Sequence, residues 1–80
     1  MTTHEDIIGC QPLGFPGARI VKVEPTVDYL VHGPVGDGWY ADFIVTVKLE
    51  DGRSVEFPKS YDYVTNGIAA GKILKVKERI

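Results

Sequence analysis

The sequence predicts a mostly β protein, built as a small antiparallel sheet or as a small closed barrel of about five strands with at most one short helical turn. Apolar and polar residues alternate over residues 39–50, which is typical of a half-buried strand. Asp51-Gly52, a tight-turn dipeptide, follows at once. Further short alternating stretches are separated by turn formers. Since a lone hairpin is not stable in water, we expect these strands to share one sheet or to close up and hide their edges.

The stretch 39–50 is the clearest strand. A strand gathers its odd-numbered residues on one face, whereas a helix would scatter them around its circumference. The odd positions are all apolar: Trp39, Ala41, Phe43, Val45, Val47 and Leu49. A two-residue loop at Asp51-Gly52 then leads to a return strand, 53–57, with Val55 and Phe57 on one face and Pro58 at its end.

Two strands are predicted before this hairpin. The first begins at Arg19, and Pro25 requires it to bend or to lie at an edge. A second short strand covers residues 29–32, and residues 33–38 form a loop. One face of the first strand carries Val21, Val23 and Pro25, and the other carries Ile20, Lys22, Glu24 and Thr26.

For the C-terminal part of the sequence we predict one segment that suits either a helical turn or a strand, followed by one strand. Residues 60–71 suit a single helical turn closed by Gly71, although a strand is also compatible with them. Residues 73–80 form an amphipathic strand. Its inward face carries Leu74, Val76 and Ile80, and its outward face carries Lys75, Lys77 and Arg79.

Eighty residues allow one domain, 1–80. Residues 1–17 are rich in glycine and proline and predict a loop-rich arm, with Ile7 and Ile8 docking onto the body, 18–80. A chain of this size buries only about 60% of its unfolded surface, so its core is thin. Cys10 is the only cysteine, so no internal disulfide forms, and His4 and His32 are too far apart in sequence to indicate a metal site.

Charge and hydropathy exclude several classes of protein. The net charge of −2 gives no reason to expect nonspecific nucleic-acid binding and is too small for an acidic DNA mimic. No apolar run approaches the ~20 residues that span a bilayer, and the N-terminal residues are acidic where a secretory signal is basic. We therefore expect a cytoplasmic protein.

Three stretches resemble SH3-like small β-barrels and together cover about half of the chain. Residues 17–23 resemble the Gly-x-x-aliphatic strand, 37–40 resemble the Asp-Gly-Trp-Trp segment, and 52–61 resemble the hairpin return with its Phe-Pro-Ser-x-Tyr turn. The N-terminal Ala-Leu-Tyr-Asp-Tyr of that family is absent. The resemblance implies a peptide groove lined by Trp39, Pro58 and Tyr61. The alternation instead places Trp39 beside Phe43, in core or half-buried packing.

No arrangement of residues indicates catalysis, so we expect a protein that is not an enzyme and has no cofactor. Cys10 lies in the Gly/Pro-rich arm, where nothing in the sequence indicates an activated thiol. His32, Ser54 and Ser60 lack a recognisable base or nucleophile beside them. The glycine-rich loop 33–38 lacks the lysine and the following helix of a phosphate-binding loop.

The leading hypothesis is a small non-catalytic binding, adaptor or regulatory protein, of accessory or phage type, that docks a protein partner through edge strands and exposed aromatic residues. Its candidate partner-binding residues are Trp39, Tyr40, Pro58, Tyr61 and Tyr63. One alternative is a nucleic-acid-binding SH3-like barrel that uses a basic C-terminal row, Lys72, Lys75, Lys77 and Arg79. Another is a structural subunit that assembles into homo-oligomers.

Overall fold

The computed structural model describes residues 4–33 and 38–76, and most of its regular structure is β-strand. A three-stranded antiparallel sheet has the order β2-β3-β4, and a two-stranded antiparallel ribbon joins β1 to β5. The predicted mostly β fold with a small antiparallel sheet and one short helix is confirmed, and the described residues form no closed barrel. The strands are β1 (Gln11–Pro12), β2 (Arg19–His32), β3 (Gly38–Lys48), β4 (Ser54–Lys59) and β5 (Ile73–Leu74), and the helical elements are a 3₁₀ turn (His4–Ile7) and α1 (Tyr61–Asn66).

The hairpin of β3 and β4 follows the predicted alternation. Ala41, Phe43, Val45 and Val47 are buried on one face of β3. The predicted two-residue loop is wrong, because the turn contains three residues, 50–52, between Leu49 and Arg53. The N–H of Leu49 donates to the carbonyl of Arg53 at 2.7 Å, and the N–H of Gly52 donates to that of Leu49 at 3.0 Å. This geometry is a type I turn followed by a glycine bulge.

Pro58 lies inside β4 and does not end it. It pairs with Ile44 of β3, and the strand continues to Lys59 opposite Phe43. β4 is an outer strand of the sheet, where the missing N–H of a proline is tolerated.

A first irregularity of β2 inverts part of its predicted face assignment. The register shifts between Ile20 and Lys22, so Val21 is an extra residue opposite β3. Ile20 and Val23 are therefore both buried, whereas Val21 is exposed. The predicted placement of Ile20 and Val23 on opposite faces is wrong, because a β-bulge breaks the period of two.

A second irregularity joins the two strands predicted in this region into one. Pro25 pairs with Phe43 and Tyr29 pairs with Ala41, so three residues of β2 lie opposite Asp42 alone. Asp28, with φ of 59°, adopts the left-handed conformation within this bulge. Beyond it, residues 29–32 of β2 pair with residues 38–41 of β3. We call residues 29–32 and 38–40 the distal hairpin.

One face of the three-stranded sheet forms the core. It is covered by the N-terminal segment, α1 and the β1–β5 ribbon, which contribute Ile7, Val64 and Ile73. The N-terminal segment is fastened to β2 because the N–H of Gly9 donates to the carbonyl of Ile20 at 2.7 Å. The described part of the segment expected to be an arm thus contains a 3₁₀ turn and β1. Its Ile7 is fully buried, whereas Ile8 remains exposed.

The predicted helical turn after β4 is α1. The hydroxyl of Ser60, the N-cap residue, accepts a hydrogen bond from the N–H of Tyr63 at 3.2 Å. Gly71, with φ of 76°, closes the segment in a conformation that favours glycine.

The predicted faces of the C-terminal strand are wrong. Ile73 is the buried residue of β5, and Leu74 is exposed. Because Ile73 and Leu74 are both aliphatic, the sequence is compatible with either of them facing the core. Ile73 pairs with Pro12 of β1, and this pairing decides that Ile73 is the buried one. The predicted strand positions from 77 to 80 lie outside the described residues.

Candidate functional site

The distal hairpin carries the densest group of exposed large apolar side chains. Tyr29 and Leu30 on β2, and Trp39 and Tyr40 on β3, are between 40% and 66% exposed. Val27, in the bulge that leads to this hairpin, is 84% exposed. A small protein commonly exposes single apolar residues, but several on two paired strands, divided between both faces of one hairpin, need an explanation.

The strand register explains why these side chains are exposed. Tyr29 lies opposite Ala41 and Val31 lies opposite Trp39, on the face that continues the core. Ala41 is the last buried residue of that face, and the core cluster contains no residue of the distal hairpin. Of the core or half-buried packing expected for Trp39, the core position is wrong, because its strand extends past the covering elements. Trp39 is 42% exposed.

The opposite face of the distal hairpin is also apolar. Leu30 lies opposite Tyr40. A methyl group on Gly38 would lie only 2.8 Å from Leu30 Cδ1, so Leu30 lies closely over the glycine. Both faces of this two-stranded segment are thus apolar, whereas a surface hairpin usually has one polar face.

The distal hairpin also contains an unprotected strand edge. β2 is an outer strand of its sheet and, in the part of the chain that the structure describes, no strand pairs with its free side. Natural edge strands are commonly blocked by proline, lysine or a bulge. The portion of β2 near the body has Pro25 and both bulges, but residues 29–32 contain neither proline nor lysine. Their free backbone groups remain available for pairing with another strand.

The residues of the SH3-like groove are not brought together. Trp39 lies five residues from Ile44 along β3, which corresponds to roughly 17 Å, and Ile44 is the partner of Pro58. Because odd and even residues of β3 face opposite ways, Trp39 and Pro58 also lie on different faces. Tyr61 is at the start of α1, with its ring centroid 6.3 Å from that of Phe43.

Tyr63 lies at a different position, beside Lys59. The Lys59 Nζ is 4.5 Å from the centroid of the Tyr63 ring, within the range of a cation–π interaction. Burial raises the pKa of the Tyr63 phenol above its usual value of 10.0. The predicted partner-binding residues are thus divided between the distal hairpin, the edge of β4 and the two faces of α1.

The predicted basic row is only partly located. Lys72 and Lys75 flank β5 and are exposed, whereas Lys77 and Arg79 lie outside the described residues. Lys22, which could extend the row, forms an ion pair with Glu24 at 2.7 Å. The hydrogen bond to Glu24 and its negative charge raise the pKa of Lys22.

The residues considered for catalysis or metal binding lie apart. Cys10 is buried, and its Sγ is 3.9 Å from the carbonyl oxygen of Asp6. His4 stacks on Phe43, with ring centroids 5.5 Å apart, whereas His32 is at the end of β2. Within residues 4–33 and 38–76, no three His, Cys, Asp or Glu side chains cluster closely enough to hold a metal ion. In the same residues, no helix has the length and apolar character needed to cross a bilayer.

Comparison of the chain with protein-family models, curated proteins and solved structures found no match.

Tyr29 and Leu30 were missed as site residues. The apolar composition of residues 29–32 was the available signal, since a solvent-facing strand rarely carries three large apolar residues in a row.

Proposed function

We propose that this protein is a non-catalytic binding module that docks an extended, apolar segment of a protein partner on the distal hairpin. The observation that carries the proposal is the exposure of Tyr29, Leu30, Trp39 and Tyr40 on a paired segment beyond the core. The proposal uses these side chains in place of the groove implied by the SH3-like resemblance.

The side-chain types favour a protein interface. Tryptophan and tyrosine dominate the energetic centres of protein–protein interfaces, because they bury a large area and keep one polar group for hydrogen bonding. Exposed tryptophan and tyrosine on adjacent residues, Trp39 and Tyr40, present such groups on both faces of the segment. A partner that covers either face gains about 1.5–3 kcal/mol for each large side chain that it buries fully.

The free edge of β2 favours an extended partner segment. A peptide that adds as a strand gains main-chain hydrogen bonds, while alternate side chains of the edge strand select its sequence. Residues 29–32 supply this edge, and the bulge at Asp28 separates it from the body. The partner segment would then lie against Tyr29 and Val31 on one face or Leu30 on the other.

The charge distribution favours a protein partner over nucleic acid at this position. The sequence from Val23 to Val47 contains no lysine or arginine. Phosphate contacts depend on such cations, so the distal hairpin lacks the groups that hold a nucleic-acid backbone. We propose the cytoplasm as the setting, in keeping with the unpaired thiol of Cys10.

A comparison of two variants tests the proposal. Tagged wild-type protein, the Trp39→Ser/Tyr40→Ser variant and the Tyr61→Ser variant are used for affinity capture from the native cell lysate, with and without nuclease. Tyr61 is a matched control, since it is an exposed aromatic residue on the body. Thermal unfolding of each variant establishes that it is folded.

We expect a protein captured by the wild type and by Tyr61→Ser to be lost with Trp39→Ser/Tyr40→Ser. Equal capture by the distal variant, or loss with Tyr61→Ser alone, would place the site elsewhere. An empty capture combined with a mass that rises with concentration would indicate a homo-oligomer, and a capture that nuclease removes would favour the basic row.

A further inference from the structure

A cleft of about 420 Å³ lies between the β3–β4 part of the sheet and the β1–β5 ribbon. Its apolar and aromatic lining includes Leu13, Phe15, Phe57 and Tyr63. The volume falls within the range of roughly 300–1,000 Å³ that is usual for small-molecule sites. The cleft includes no residue of the distal hairpin, so it is independent of the function proposed above.

The walls of the cleft are suited to a flat apolar group. The ring centroids of Phe15 and Phe57 are 5.4 Å apart and the rings are tilted by 50°. The two rings therefore contact each other, and an aromatic ligand can stack on this pair or meet it edge to face from the cleft. Val45 and Val47 at the base of the cleft add aliphatic contacts.

Two lysines give the cleft a positive charge. Lys59 and Lys72 both line it, and the Lys59 Nζ lies 4.5 Å from the centroid of Tyr63 and 5.8 Å from that of Phe57. Among the described residues, the ion pairs are Lys22 with Glu24 and Arg53 with Asp51, so neither cleft lysine is paired with a carboxylate there. The cleft therefore combines apolar walls with positive charges that an anion would neutralise.

We propose that this cleft binds a small aromatic carboxylate, with its ring packed against the Phe15–Phe57 pair and its carboxylate beside Lys59 and Lys72. A carboxylate suits the site because its two oxygens can accept charge-assisted hydrogen bonds from both ammonium groups, which offsets the cost of its desolvation. Tyr63 also lines the cleft, and burial moves its pKa further above neutral pH, so its phenol is protonated there and can donate a hydrogen bond.

The first experiment uses the wild-type protein and two probes of the same shape. Naphthylacetate carries the carboxylate, and naphthylacetamide replaces it with a neutral amide. Titration is followed by ¹⁵N–¹H NMR, and the dissociation constants are taken from the shift changes. We expect the largest shifts at Phe15, Phe57 and Lys72 and at least tenfold tighter binding of the carboxylate, which about 1.4 kcal/mol of charge–charge interaction would produce.

The second experiment removes the charges and retains the apolar stems. Lys59→Met/Lys72→Met is expected to weaken binding of naphthylacetate at least tenfold and to leave binding of naphthylacetamide unchanged. Lys48→Met, which removes an exposed lysine outside the cleft, and Trp39→Ser/Tyr40→Ser are expected to bind as the wild type does.

Three results would overturn the proposal: equal affinity for the two probes, shifts outside the cleft, or undiminished carboxylate binding by the double lysine variant. The comparison of the two probes requires no variant, so a variant that fails to fold does not remove the test. Loss of partner capture without loss of probe binding would separate failure of the distal hairpin from failure of the cleft.

Discussion

The carboxylate of Asp42 accepts a hydrogen bond from the backbone N–H of Tyr61, with 2.7 Å between Oδ2 and the nitrogen. Tyr61 is the first residue of α1, and the first N–H groups of a helix have no partner within it. Asp42 lies opposite the bulge of β2. This one contact therefore joins the helix to the point where the sheet changes from covered body to distal hairpin.

Removal of this contact should destabilise the protein. We expect Asp42→Ala to lower the free energy of unfolding by about 1–2 kcal/mol, because the N–H of Tyr61 loses a charged acceptor. Urea denaturation measures the change. Asp62→Ala, a control in the first turn of α1, should cost less than about 0.5 kcal/mol. Equal losses for the two variants would show that the contact has no particular role.

The end of α1 is tightly packed against β5. A methyl group on Gly67 would lie 2.7 Å from Ile73 Cδ1 and would also meet the carbonyl oxygen of Tyr63. We expect Gly67→Ala to destabilise the protein by about 1–3 kcal/mol through overpacking. Asn66→Ala, at the exposed neighbouring position, should change stability by less than about 0.5 kcal/mol. An unfolding midpoint for Gly67→Ala equal to that of the wild type would contradict the packing described here.

Gly52 supports the turn between β3 and β4 through its backbone conformation, with φ of 93°. No atom lies within 4 Å of a methyl group added there, so the cost of substitution arises from the backbone alone. We expect Gly52→Ala to lower the free energy of unfolding by about 1–2 kcal/mol and Gly52→Asn to lower it less, since asparagine tolerates positive φ better. A free energy of unfolding that is lower for Gly52→Asn than for Gly52→Ala, as measured by urea denaturation, would argue against this turn geometry.

Ionisation of Tyr63 should lower the stability of the protein at alkaline pH. Its folded pKa is raised above 10.0 by burial, so the folded state favours the neutral phenol. The contribution is fully present below the unfolded pKa and is lost as pH rises through the folded pKa. As pH rises above about 10, Tyr63→Phe should therefore lose less thermal stability than the wild type.

Tyr61→Phe provides the control for this pH dependence and should follow the wild type. Because the pKa of Lys22 is raised above its usual value of 10.5, deprotonation of Lys22 causes a further loss of stability at higher pH. Both variants and the wild type share this loss. An identical alkaline decline for Tyr63→Phe and the wild type would show that Tyr63 does not take part.

The sequence was most informative where a long alternation coincided with a strong turn. The buried face of β3, from Ala41 to Val47, follows directly from its period of two. The same period failed in β2, because two bulges insert residues that no local pattern reveals. In β5, Ile73 and Leu74 are adjacent and both apolar, so only pairing with β1 decides which of them is buried.

The candidate site was predictable in part. The sequence indicates Trp39 and Tyr40 as candidate partner-binding residues, but its alternation also assigns Trp39 to the core face. That conflict could not be resolved without knowing where the covering elements end, which depends on tertiary packing. The role of residues 29–32 depends on the unpaired edge of β2, and strand order is set by contacts between residues distant in sequence.

Hydrogen–deuterium exchange on the captured complex reports on docking at the edge of β2. We expect partner binding to slow the exchange of backbone amides in residues 29–32, because their free edge becomes hydrogen-bonded, and to leave the amides of α1 unchanged. Slower exchange confined to the region of β5 and Lys75, with residues 29–32 exchanging as in the free protein, would contradict docking on the distal hairpin.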